Sequence, residues 1–161
     1  MKNSYLGTLR KKLAISLIIL FTLYDIYSQI RLDEKLNHKR VETTETLFLK
    51  SKNNIPFDKI LLNEYQKDFH LSLKNNIVVN NPDFEYWIKI PFKISSQTHW
   101  LFQTFSVHAD SLDVYIPTSK GYSRKRLGTS NNHNERQVEI PELIFELENL
   151  KEIQTVYLRI K

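Results

Sequence analysis

Five histidines, His38, His70, His99, His108 and His133, are the residues of this chain best suited to metal or proton chemistry. No two stand at HxxxH or HExxH spacing, the arrangement that turns ligands toward one ion from a single helical face. The run His108-Ala109-Asp110, with Asp113 close behind, offers nitrogen and oxygen ligands on one loop. Aspartate is equally a turn former, and a solvated turn is the preferred reading. The serines of "SSQTH" and "TSKGYS" lie in no GxSxG context, and no glycine-rich phosphate loop occurs. Glu139 and Glu142, like Glu146 and Glu148, alternate with apolar residues as a solvated strand face does. A glycosidase pair is defined by its spatial separation and is not readable here. The sequence predicts no catalytic residue, no metal and no cofactor.

Two constellations suit binding instead. Tyr86, Trp87, Trp100, Tyr115 and Tyr122 supply flat rings that stack on sugars or cover a partner. Trp87 alternates with Ile88, Ile90 and Phe92, so it faces outward from a one-sided sheet. In a sandwich covered on both faces it is a large core residue, and that is the favoured reading. The second constellation is "KGYSRKR", with Lys120, Arg124, Lys125 and Arg126 around Tyr122. It suits an anionic ligand or membrane surface, although such runs more often just face water.

The elements that must position these residues are strands. In "YWIKIPFKI" Ile88, Ile90, Phe92 and Ile94 fall on every second position, the period of a strand with one apolar face. "HLSLK", "NIVV", "HWLFQTFSV", "SLDVYIP", a weak "SRKRLG", "VEIPELIFELE" and "TVYLRIK" complete the candidates. Turn-forming stretches such as "NNPD", "SSQT" and "TSKG" separate them. Short strands at close spacing predict an all-β antiparallel sandwich or jelly roll rather than a βαβ fold. Pro91 within a strand predicts an edge or a bulge, because proline donates no ladder hydrogen bond. Ahead of the strands, Phe57, Leu61 and Tyr65 stand four apart with Ile60 beside them, which predicts one short helix with Asp58 near its start.

The first 28 residues carry Lys2, Arg10, Lys11 and Lys12, then the uncharged "LAISLIILFTLY" and a small residue, Ser28. That order reads as a secretory signal peptide cleaved after Ser28, although Ile26 is not ideal for the site. Its apolar core is 12 residues, short of the roughly 20 a spanning helix needs; an uncleaved anchor is the alternative. The chain is therefore predicted to be exported. Four of its 23 Lys and Arg and one of its 18 Asp and Glu lie in this segment, leaving 19 against 17, a net +2. A balance that close gives no case for nucleic-acid binding. With no cysteine, the export compartment supplies no disulfide, and stability comes from burial. Residues 29–44 read as a polar lead-in, and 45–161 as one extracytoplasmic domain, with an edge strand at "TLFLK".

The order "YWIKIPF", "WLFQTF", "LDVYIP", Gly128 with Arg136 eight residues on, and "TVYLRIK" resembles one sensory module. It is similar to the type 2 extracellular domain of bacterial seven-transmembrane receptors with diverse intracellular signalling modules. Trp87, Asp113, Tyr115, Gly128, Arg136, Tyr157, Leu158 and Arg159 occupy the family's places over about residues 45–161. Thr129 stands where the family commonly has Asp. The resemblance implies a jelly-roll sandwich similar to carbohydrate-binding modules, acting as an extracytoplasmic ligand sensor and not as an enzyme. The implied ligand is a small molecule or carbohydrate, with Trp87, Trp100, Tyr115, Tyr122 and Arg136 as candidate contacts. Membrane-embedded and cytoplasmic signalling domains, as in a two-component system, are expected downstream of this chain as a truncated receptor's missing parts. The alternatives are a free-standing secreted carbohydrate-binding module and, less favoured, an exported hydrolase.

Overall fold

The computed structural model describes residues 29–71, 81–105, 111–127, 142–150 and 152–161. Among these are nine strands, two one-turn α-helices and one 3-10 turn (Thr43–Glu45), an all-β architecture. The strands are β1 (Ile30–Leu32), β2 (Leu47–Ser51), β3 (His70–Leu71), β4 (Glu85–Ile94), β5 (Trp100–Phe105), β6 (Leu112–Thr118), β7 (Gly121–Leu127), β8 (Glu142–Leu147) and β9 (Gln154–Ile160). The helices are α1 (Phe57–Ile60) and α2 (Asn63–Gln66). The predicted signal segment, "NIVV", the His108 loop and the Gly128–Arg136 loop lie outside the described residues.

The large sheet runs β3-β2-β4-β9-β6-β7, all antiparallel, and β5 pairs with β8 in a small second sheet. Alternation along β4, β6 and β9 explains how the two meet. Ile88, Ile90, Phe92 and Ile94 of β4, Leu112, Val114 and Ile116 of β6, and Val156 and Leu158 of β9 point one way. They pack with Trp100 and Leu147 of the small sheet to form the main core. Each such side chain contributes about 1.5–3 kcal/mol by leaving water. The intervening residues, Trp87, Tyr115 and Tyr157, build a second core on the outer face with Leu49, Ile55, Ile60 and Phe69. β4 and β6 are therefore buried on both faces over most of their length.

Three details depart from expectation. β4 is central, so Pro91 is not on an edge strand. Along one side of β4, however, β2 ends its pairing at Leu47↔Lys89 and β1 begins at Ile30↔Phe92. Pro91 sits at that handover, where a missing N–H leaves no ladder broken on that side. β1 itself falls in the segment read as a lead-in, and it pairs parallel to β4. The expected single helix is two, because Leu62 adopts an extended conformation (φ −73°, ψ 145°) between α1 and α2. That break buries Ile60 completely and leaves Leu61 40 % exposed, so Leu61 is not on the apolar face. The "TSKG" turn forms as expected: Thr118 and Gly121 pair across a two-residue loop, and Gly121 takes φ +116°, which favours glycine.

Candidate functional site

Strand register places the chemistry-bearing residues of the outer face in one row. Leu49 pairs with Trp87, Trp87 with Arg159, Arg159 with Asp113, and Asp113 with Arg126. The Trp87 ring is fully buried, stacked against Phe57 and Tyr115, with the Arg159 guanidinium 5.4 Å from its centre. Phe57 arrives from α1 and lies flat on Tyr115, ring centres 3.8 Å apart and planes 8° from parallel. α2 is pinned beside it through Gln66, whose carbonyl accepts from Lys89 Nζ at 2.7 Å and from the Tyr157 hydroxyl at 3.4 Å.

Two carboxylates hold this face together, and both are spent. Glu85 Oε1 accepts from the Ile55 N–H at 2.6 Å and from Trp87 Nε1 at 3.0 Å. Its Oε2 accepts from Arg159 Nε at 2.9 Å and Nη2 at 2.7 Å. Asp113, 2 % exposed, accepts two bonds from Arg124 (both 2.9 Å) and two from Arg126 (2.6 and 3.1 Å). An ionised carboxylate offers about four acceptor positions, so neither has capacity left for a ligand or a transferable proton. Burying them is tolerable because these charge-assisted bonds replace water. Arg159 also donates to Asn54, and so does Lys161, which draws the helical segment onto the end of β9. The hydrogen bond to Asp113 raises the Arg124 pKa. Burial raises those of Tyr115 and Tyr157, and takes Tyr122 to about 12 with help from the neighbouring Tyr157. The row is a structural clasp.

The inner face is different. Between the sheets lies a cavity of about 800 Å³. Its floor is Ile88, Ile90 and Phe92 of β4 with Val156 and Leu158 of β9. β1 supplies Ile30 and Leu32, and the opposite wall is Trp100 to Thr104 of β5 with Leu147 of β8. The lining includes residues from both faces of β5, so the mouth runs along that strand. The segment from Asn37 to Thr46 closes the remaining side, with Val41 packed onto the core. His38, Lys39, Arg40 and His99 stand at the rim, and no Asp or Glu is among the described lining residues. A space of this size with apolar walls and a few grouped polar residues is what small-molecule sites look like. No group of three His, Asp or Glu among the described residues could hold a metal ion.

The pattern of the 7TMR-DISM extracellular 2 family matches residues 43–161. The chain belongs to that family. No curated protein matches it. Membership makes it an extracellular domain of a seven-transmembrane receptor, with membrane-embedded and downstream parts implied, in a family of receptor domains that is generally non-catalytic. No helix among the described residues is long and apolar enough to cross a membrane.

Within this 7TMR-DISM domain the candidate contacts separate. Trp87, Tyr115 and Tyr122 come together on the outer face, the first two buried and Tyr122 37 % exposed. Trp100 is across the sheet, lining the cavity while its Nε1 donates to Ser96 Oγ at 3.3 Å. Arg136 lies outside the described residues. Reading the sequence did not single out Glu85, Lys39, Arg40 or Val41. The signal for the basic rim was two adjacent cations beside His38 in a polar stretch, which composition alone assigns to solvent.

Proposed function

We propose that this chain is the periplasmic or cell-surface, ligand-sensing part of a bacterial signalling receptor, and that the cavity between its sheets receives the ligand. It is exported by its first 28 residues and turns ligand occupancy into a shift of the membrane helices attached downstream. The observation that carries the reading is a roomy apolar cavity, open along β5, in a domain of an extracellular receptor family. A domain built only for support would be expected to fill such a space, since protein interiors pack to crystal-like density. A ligand held there contacts β1, β4, β5 and β9 at once, so occupancy favours one spacing of the two sheets over another. That difference in affinity bounds the size of any signal.

A free-standing secreted glycan binder has less support. Trp87 and Tyr115, the rings best placed for sugar stacking, are covered by Phe57. Two measurements test the leading reading. A thermal-shift screen of small molecules compares the full chain with Val41→Trp, which plugs the cavity from its strap. A compound that stabilises the first and not the second supports the site, whereas equal shifts put the ligand elsewhere. Reading the gene past the codon for Lys161 then tests the receptor: a continuing frame with seven apolar segments is expected, and an unrelated gene would sink the signalling role.

A further inference from the structure

We infer that the ligand is an amphiphilic anion, with an apolar body between the sheets and an acidic headgroup at the rim; this rests on the cavity being the sensing site. The floor offers no hydrogen-bonding side chain: Ile88, Ile90, Phe92, Val156 and Leu158 are all hydrocarbon. A sugar or peptide placed there would lose its water without replacement partners, which disfavours both. An open apolar wall instead gains by exchanging its water for an apolar guest.

Among the described lining residues the neutral polar side chains come from the strap and from β5 (Asn37, Thr43, Thr46, Gln103 and Thr104), and the two charged ones, Lys39 and Arg40, are both cationic. Lys39, Arg40, His38 and His99 line the cavity, while the acids near them sit outside the described lining. Lys39 Nζ is 2.6 Å from Glu45, His99 Nδ1 is 2.6 Å from Glu146, and Arg40 is 4.0 Å from Glu42. Those pairings do not exhaust the bases, because an ammonium has three donors and a guanidinium five. Glu45 holds Lys39 in place, while the long, solvated contact of Arg40 with Glu42 leaves most guanidinium donors to an incoming anion. Three of the four bases come from the strap at 38–40, so a bound headgroup would also fasten that strap over the cavity.

The test is calorimetric titration of the full chain with decanoate, decanol and decyltrimethylammonium, all below their micelle concentrations. Decanoate is expected to bind about 10-fold tighter than decanol, with the cationic amphiphile weakest, and high salt should shrink that advantage. Shortening decanoate to octanoate should weaken binding by about 4-fold per methylene removed. The double variant Lys39→Gln/Arg40→Gln removes the Lys39–Glu45 pair, so its melting temperature is compared with that of the unaltered chain before titration. It should bring decanoate to the affinity of decanol and leave decanol unchanged. Equal binding of decanoate and decanol to the unaltered chain, or an unaffected double variant, would overturn the headgroup assignment. Absence of saturable binding by all three would overturn the ligand class. In that case maltotriose or another compound stabilising the full chain but not Val41→Trp would leave the sensing site standing. If no compound distinguishes those two proteins, the sensing site itself fails.

Discussion

The inner face of the β4–β9–β6 sheet meets its partner layer with Ile, Val and Leu and leaves about 800 Å³ between them. The outer face of the same three strands meets a short helical segment with aromatic rings and ions, and its two buried carboxylates each accept four hydrogen bonds. Both faces come from one alternating sequence, residue by residue. The difference teaches that burial and availability are separate properties. The side chains with the most chemistry are locked into structure, and the plainest hydrocarbon residues border the space a ligand can use.

The sharpest way to break this contrast is to remove the centre of the clasp. Trp87→Ala should cost about 4 kcal/mol in urea unfolding, since it empties a fully buried ring site and strips a donor from Glu85. Asp113→Asn comes next, at about 3 kcal/mol, because the guanidiniums of Arg124, Arg126 and, at 3.8 Å, Arg159 lose the charge they converge on. On the inner face Phe102→Ala, a half-buried ring beside space that already exists, should cost about 2 kcal/mol. Should its unfolding midpoint fall as far as that of Trp87→Ala, the two faces are equally packed and the contrast is wrong. Arg126→Gln is expected to cost less than about 1 kcal/mol, since its side chain is nearly half exposed and Arg124 stays on Asp113.

The smallest effect is one of pH. Burial raises the Tyr122 hydroxyl from 10.0 to about 12, and Tyr115 and Tyr157 shift the same way. An acid weaker in the folded state than in the unfolded one gives up its stabilising contribution as pH rises. Melting temperature should therefore hold below pH 10 and fall between 10 and about 12. Tyr122→Phe should flatten that fall in part; an identical profile would mean the outer-face tyrosines are not desolvated.

How much of this was legible beforehand depends on the range of the interaction involved. The strand at 85–94 announces itself because alternation is local, and the "TSKG" hairpin does so because its turn chemistry is local. β1 is only "IRL", and its partner lies 62 positions away at 92–94, so no window of sequence contains both. The helical segment breaks at Leu62 because Ile60 and Phe57 follow the shape of the sheet below them, and one-turn helices have little preference of their own. Trp87, Asp113 and Arg159 stood out by type and family resemblance, but their meeting in one row is set by register between strands far apart in sequence. The cavity is written in no residue at all. It is the volume left between two sheets, and its rim comes from a stretch whose composition suggested nothing but solvent.

The family match begins at Thr43, yet Ile30, Leu32 and the basic residues at 38–40 all lie before it. A protein trimmed to the matched residues would keep every member of the outer row and lose one wall of the cavity together with three of its four rim bases. It could be purified and stored like the complete domain and still answer no compound in a screen. Its silence would report the position of the cut and not the receptor's taste.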